Sequence, residues 1–385
     1  MTKTGSTAGD IADYRSAFAP DRLPECSRRH LTPSGLHPVL ERLAAGSRGL
    51  IRLERAGSSF EGRPLYTVTA GSGPVRVLLW SQMHGDESTA TRALADLLSH
   101  IARTADAERT RALLSGLTIT AVPMLNPDGA ERCSRRTAQG IDMNRDALAL
   151  RTPEARFLAE LGSAVSPHYC FNLHDQELST VGDTTEITAL ALLAPAPDAG
   201  RSDNPASVRA RRLASFMAGA ASSMLPGKVA RYDDAFEPRA FGDTFQRAGY
   251  STVLVESGHF RGDDDKEEVR KANFILLAAT LAEIARGGPG GATTGSYDLL
   301  PVNGKRAYDV ILRDVEVVGG KSAYRTDLGI SRQVDTHPEE PPRLVDAGDL
   351  RLFAALEDID GSKAAVQAGE LRLNTPFDYR RLIPA

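Results

Sequence analysis

The chain has 385 residues, 41% of them hydrophobic, and its 46 basic and 50 acidic residues leave a formal net charge of −4. That length and apolar content suffice for a large core and more than one domain, and the balance of charge argues against a nucleic-acid partner, which needs a clustered basic surface. No run approaches the roughly twenty apolar residues of a membrane span, and the N-terminal stretch 1–20 has no apolar signal-peptide core, so cytoplasmic residence with no membrane partner is the expectation. Three widely spaced cysteines, Cys26, Cys133 and Cys170, are expected to be reduced thiols.

In chain order, residues 1–56 read as a helical lead-in. The apolar run Val75 to Trp80 predicts a buried strand, and Ser88 to Arg103 predicts an amphipathic helix with Ala90, Ala93, Leu94, Leu97, Leu98 and Ile101 on one face. Between them stand His84 and Glu87, at the strand-to-helix corner where open α/β sheets bind ligands. Gly85 relieves the backbone there. The pair is half a metal site, although an isolated His-x-x-Glu also serves simply to cap a helix.

A strand is predicted over Leu117 to Pro123, then a turn at Asn126-Pro-Asp-Gly129 and a basic loop with Arg132, Arg135 and Arg136. The helix predicted from Thr152 to Val165 starts with Thr152 as N-cap, Pro153 behind it and Glu154 in the first turn. A short strand from Tyr169 to Leu173 ends at His174. A core histidine bonded to a carbonyl is the plain alternative there. Two neutral imidazoles and one carboxylate, however, make up the ligand set of hydrolytic zinc sites and leave a coordination position open.

Ile187 to Leu193 predicts another strand, followed by a Pro-rich loop (194–205) that is either a lid or an ordinary surface loop. Ser207 to Leu225 predicts a helix. Glu237, Arg239, Asp243 and Gln246 form a polar cluster that reads first as a surface helix and second as a pocket lining. Thr252 to Val255 predicts a buried strand ending at Glu256, a carboxylate suited to act as general base or to a salt bridge at the sheet edge. After a helix from Lys266 to Arg286, the Gly-rich stretch 285–296 reads as a connector. Residues 295–385, with runs such as Tyr308 to Val318, read as a small β-rich accessory domain. The alternation of strands and helices before the connector predicts an α/β layered domain with a mixed sheet.

The order His-x-x-Glu, Asn-Pro-Asp-Gly, an arginine upstream of Gly140-Ile-Asp-Met-Asn-Arg145, a strand-end His and a strand-end Glu resembles the zinc carboxypeptidase family of the carboxypeptidase A type. The similarity extends from about Gly57 to about Ala285, and it implies a catalytic domain over 57–286. It also implies one zinc ion per chain held by His84, Glu87 and His174, with Glu256 as general base. Asn144 and Arg145 match the pair that holds the terminal carboxylate of the substrate. Arg135, rather than its neighbour Arg136, matches the arginine that polarises the scissile carbonyl. A mobile tyrosine, usual in these peptidases, has no clear match, and Tyr232 is the nearest candidate. The implied activity is hydrolysis of the amide bond beside a C-terminal carboxylate by attack of a zinc-bound water. The alternatives keep the metal and change the substrate to an N-acyl amino acid or a cell-wall peptide with a D-centre, or keep the fold as a binding module without turnover.

Overall fold

The structure, a computed structural model, describes residues 7–233, 235–289, 293–332 and 340–383. Helices α1 (Thr7–Asp21) and α2 (Pro33–Gly46) precede strands β1 (Ile51–Ser58), β2 (Pro64–Ala70) and β3 (Val75–Ser81). Then follow α3 (Thr89–Arg103), α4 (Glu108–Gly116), β4 (Leu117–Val122), α5 (Pro127–Glu131), α6 (Pro153–Val165), β5 (Tyr169–Asp175), the short β6 (Thr180–Val181) and β7 (Leu190–Leu193). α7 (Pro205–Met224), β8 (Val229–Arg231), α8 (Phe241–Arg247), β9 (Ser251–Ser257) and α9 (Glu267–Ala285) complete this part.

Eight strands form one mixed sheet in the order β1-β2-β4-β3-β5-β9-β7-β8. Its centre, β4-β3-β5-β9, is parallel, and those strands are buried on both faces, hence the uninterrupted apolar runs that marked them in the sequence. One face packs against α1, α2, α3, α7 and α9 through residues such as Leu36, Leu97, Phe274 and Leu277. The other packs Leu78, Trp80 and Cys170 beneath Phe241 and Phe245 of α8 and Leu158 of α6. The layered α/β fold with a mixed sheet, expected from the sequence, is the observed one.

Local chemistry accounts for the element ends. The Thr152 hydroxyl accepts the Ala155 N–H at 3.1 Å and caps α6, which starts at Pro153 as expected. The strand expected from Ile187 begins at Leu190, with Ile187 reduced to an isolated bridge opposite Thr180. β1 lies inside the segment read as helical lead-in and pairs antiparallel with β2, Ile51 opposite Ala70. It is an edge strand studded with Arg52, Glu54 and Arg55, and edge strands carry such charges against unwanted pairing, which hid its alternation.

Beyond α10 (Gly295–Asp298) and β10 (Asn303–Gly304), the chain is β-rich. β11 (Ala307–Gly319), β12 (Ser322–Ser331), β13 (Arg343–Gly348), β14 (Ala354–Asp360), β15 (Ala365–Gln367) and β16 (Thr375–Pro376) build a second sheet. It has its own apolar core of Val310, Leu312, Val317, Leu328, Ile330, Leu344 and Phe377. Its links to the first part include the pairing of β10 with β6 and a hydrogen bond from Arg261 Nε to the Ala355 carbonyl at 2.8 Å.

Candidate metal centre

Because β3, β5 and β9 are parallel neighbours, their carboxyl ends meet at one rim of the sheet. His84 follows β3, Glu87 precedes α3, His174 ends β5, and Glu256 sits opposite His174 in register on β9. His84, Glu87 and His174 are buried, and one donor atom of each falls within 4.8 Å of the others. Each histidine turns its Nδ1 to a different Glu87 oxygen, His84 at 2.7 Å and His174 at 2.8 Å.

The close approach of α5 makes this corner possible. A Cβ on Gly85 would lie 2.0 Å from the Gly129 carbonyl carbon, so only glycine fits, and the Gly85 N–H donates to the Ser134 carbonyl at 3.0 Å. The Asn126-Pro-Asp-Gly129 turn is held by the Asn126 side chain, which accepts the Gly129 N–H at 2.9 Å. Asp128, fully buried, accepts from the Ser59 hydroxyl, the Glu61 N–H and Arg63. The segment from Gly57 to Pro64 is therefore a clamp on the turn that supports the site.

Asp142 completes the corner, although sequence reasoning assigned it no role. Its carboxylate faces His84 Nε2 at 3.1 Å and takes Arg135 Nε and Nη2 at 3.2 and 3.1 Å. A carboxylate on the far ring nitrogen favours Nδ1 as the atom that would meet a metal, the arrangement that orients histidines in metal sites. Its only sequence signal was its place two residues before Asn144.

Arg135 also reaches Glu87 at 3.0 Å, whereas Arg136 donates to the Gly140 carbonyl and is directed away. Asn144 places its amide nitrogen 3.5 Å from His174 Nε2, and its oxygen accepts the Phe241 N–H at 3.0 Å. The guanidinium of Arg145 lies 3.4 Å from Glu237, which chelates Arg239 with both oxygens. Asp243 and Gln246 are buried on α8. Asp243, which accepts the Glu237 N–H, is pushed up to about 6 by burial first.

Electrostatics set the protonation pattern. Burial alone would raise Glu87, yet the two histidines outweigh it and hold its carboxyl well below the usual range. Burial likewise works against a charged His84, but Glu87 and Asp142 raise it, while burial wins at His174 and lowers it. Glu256 is raised well above a normal carboxylate, by burial first and then by the charges of Glu87 and Asp175. Its Oε2 is shielded from solvent and has no hydrogen-bond partner among the described residues. Tyr232 is raised by the Glu256 charge first and then by burial.

The donor set fits zinc. Two imidazole Nδ1 atoms and a carboxylate converge, the outer nitrogen of His84 is braced by a carboxylate, and a buried carboxyl stands beside them. A positive ion there would draw down the raised Glu256. Among the described residues no other group of three such side chains converges.

The fold thus brings two imidazoles and a carboxylate together in a donor set that could hold a metal ion. Residues 36–182 match the family model described as zinc carboxypeptidase. The segment contains every residue discussed above as a zinc ligand, carbonyl polariser or carboxylate clamp, while Glu256 lies beyond it. Probable carboxypeptidase 2 of Arthroderma benhamiae is 30% identical over 146 residues, 35% of this chain and 27% of that protein. Carboxypeptidase D of Mus musculus is 38% identical over 112 residues, 23% of this chain and 8% of that protein. The chain thus spans about a quarter or less of the length of these curated relatives. The fold is shared with a metallo-carboxypeptidase from Burkholderia cenocepacia, at TM-score 0.53 and 18% identity over 66% of this chain and 70% of that one. Carboxypeptidase A from Helicoverpa armigera shares it at TM-score 0.53 and 16% identity, over 71% and 79% of the two chains.

Proposed function

We propose that the protein is a zinc-dependent metallocarboxypeptidase that hydrolyses the amide bond next to a C-terminal carboxylate. The observation that carries this reading is the unpartnered carboxyl oxygen of Glu256, in register with His174 and beside the His84–Glu87–His174 donor set. A zinc ion held by that set supplies Lewis acidity, acidifying a water and polarising a carbonyl.

The remaining work falls to this chain's own side chains. Glu256 takes the proton of the attacking water and passes it to the leaving nitrogen. The Arg135 guanidinium, fixed by Asp142 and Glu87, places positive charge where the carbonyl oxygen becomes negative. Asn144 and Arg145 hold the terminal carboxylate, a planar fork of donors with an amide beside it. Because Arg145 faces Glu237, a substrate carboxylate competes with that side chain for the same guanidinium. Asp142 keeps His84 in the metal-facing tautomer.

Replacing Glu256 by Gln is expected to lower turnover about 10³-fold and to leave zinc at one ion per chain. Mass spectrometry of a peptide library incubated with both proteins reads this directly. Loss of single C-terminal residues by the wild type alone is the expected result, and equal turnover by the variant would overturn the mechanism. Release of acyl groups, or cuts confined to D-amino-acid peptides, would move the protein to the deacylase or cell-wall reading. The sheet beyond residue 295, with its separate apolar core, is read as an accessory domain to a catalytic domain over 57–286. Cytoplasmic residence belongs to the same proposal, supported by three unpaired thiols. No helix among the described residues is long and apolar enough to cross a membrane.

A further inference from the structure

One polar side chain under the site has no partner among the described residues. Asn172 stands two residues before His174 on β5 and so projects from the same face of the sheet. It is fully buried, and both its amide oxygen and its amide nitrogen are shielded from solvent without a hydrogen-bond partner among the described residues. A buried polar atom left unbonded destabilises the fold, and Asn172 leaves two. Most buried side-chain amides are bonded at one end at least, as Gln82, Gln246 and Asn273 are here, so an amide orphaned at both ends calls for an occupant.

The neighbours say where that occupant comes from. In register on either side stand Trp80 of β3 and Leu254 of β9, and the Trp80 indole N–H is also buried and unpartnered. Above lies the first turn of α8, where a Cβ on Gly242 would sit 3.5 Å from Asn172 Nδ2 and 3.4 Å from Pro195. The preceding residue, Phe241, donates its N–H to Asn144, one half of the carboxylate clamp, and the Asn144 amide lies 3.5 Å from His174. The clamp and Asn172 are thus joined through Phe241–Gly242, one strand step apart along β5.

We propose that Asn172, with the Trp80 indole beside it, forms the floor of the pocket for the terminal side chain of the substrate and selects short, neutral, hydrogen-bonding side chains. The inference rests on the carboxypeptidase reading above and deepens it. With its carboxylate on Asn144 and Arg145, the terminal residue directs its side chain under α8 toward the Asn172 amide. An asparagine or threonine side chain meets both a donor and an acceptor there. A leucine or valine of the same shape leaves them unmade, and sites built to bond a polar group reject the apolar analogue strongly. The floor row Trp80, Asn172 and Leu254 holds no charge to pair with an ionised side chain.

The test compares kcat/KM for matched peptides ending in Asn against Leu and in Thr against Val, with zinc-replete wild type and Asn172→Leu. The wild type is expected to favour the polar member of each pair by about tenfold or more, and the variant to lose or invert that preference while still releasing Leu and retaining zinc. Wild-type ratios at or below one overturn the proposal, as does an unchanged ratio in the variant. A merely structural amide would move the thermal midpoint of the variant and leave the ratio alone. Calorimetry of the zinc-replete Glu256→Gln protein with N-acetyl-Asn and N-acetyl-Leu reads the same preference without turnover and without the Asn172 variant. If no substrate is cleaved but N-acetyl-Asn binds about tenfold or more tightly over N-acetyl-Leu, the hydrolytic reading fails and the pocket stands. Equal affinity, or binding of neither, overturns the pocket.

Discussion

At the scale of single residues, the site depends on side chains that touch no substrate. Asp142 braces the outer nitrogen of His84 and the guanidinium of Arg135 together. Burial would raise its carboxyl, but His84 and Arg135 outweigh it and hold it well below the usual range. Asp142→Asn removes that charge and is expected to weaken zinc binding by about 10–100-fold, measured by competition with a chromophoric chelator. Wild-type affinity in the variant would show that His84 is oriented by something else. Gly85 is a second such residue. Gly85→Ala drives a methyl into the Gly129 backbone, and a loss of about 1–3 kcal/mol in urea unfolding, with reduced zinc content, is the expected outcome.

Among elements, the end of α1 shows how the N-terminal helices are bound to the α/β part. The Asp21 carboxylate is fully buried and accepts from His100 at 2.7 Å and from Arg103, both in the last turn of α3. Burial would raise its pKa, and the bonds from His100 and Arg103 more than reverse this, so it lies below its ordinary 3.8. A depressed folded value means that the contribution is present above about pH 4 and is lost as pH falls through the folded value. Asp21→Asn is expected to cost about 3 kcal/mol at neutral pH, with the gap to wild type closing in acid. A gap that stays constant down to pH 2 would contradict the assignment.

Strand ends were the part of the site most legible in the sequence. His84, His174 and Glu256 each close an apolar run, and charge at the end of a buried strand has few structural uses. That β3, β5 and β9 are adjacent came from the ordered motifs, since spacing alone says nothing about which strands pair. Asp142 escaped notice because its partners, His84 and Arg135, lie 58 and 7 residues away in the chain. Asn172 escaped because one polar residue inside Tyr169-Cys-Phe-Asn-Leu-His174 does not disturb a strand pattern, and its want of a partner exists only in three dimensions. β1 was lost to the charges of an edge strand.

For the whole molecule, the metal rim gathers the carboxylates of Glu87, Asp142 and Glu256 around two imidazoles, so the metal-loaded fold should be the more stable one. Zinc at about 100 times its dissociation constant stabilises by about 2.7 kcal/mol. Chelation is expected to lower the thermal midpoint and added zinc to restore it, read by calorimetry. A midpoint indifferent to chelator would mean that no specific site forms. β10, which leads into the second sheet, reaches the rim through Asn303, which donates to Gln176 at 2.6 Å, two residues past His174.

The most direct measurement is anomalous diffraction at the zinc edge from zinc-replete crystals. The account expects a single ion about 2.1 Å from Nδ1 of both His84 and His174, with a Glu87 oxygen completing the protein ligands and the Glu256 carboxyl facing the open position. An ion bound through Nε2 of His84, one that also takes Glu256 as a ligand, or no ion between these strands would contradict it.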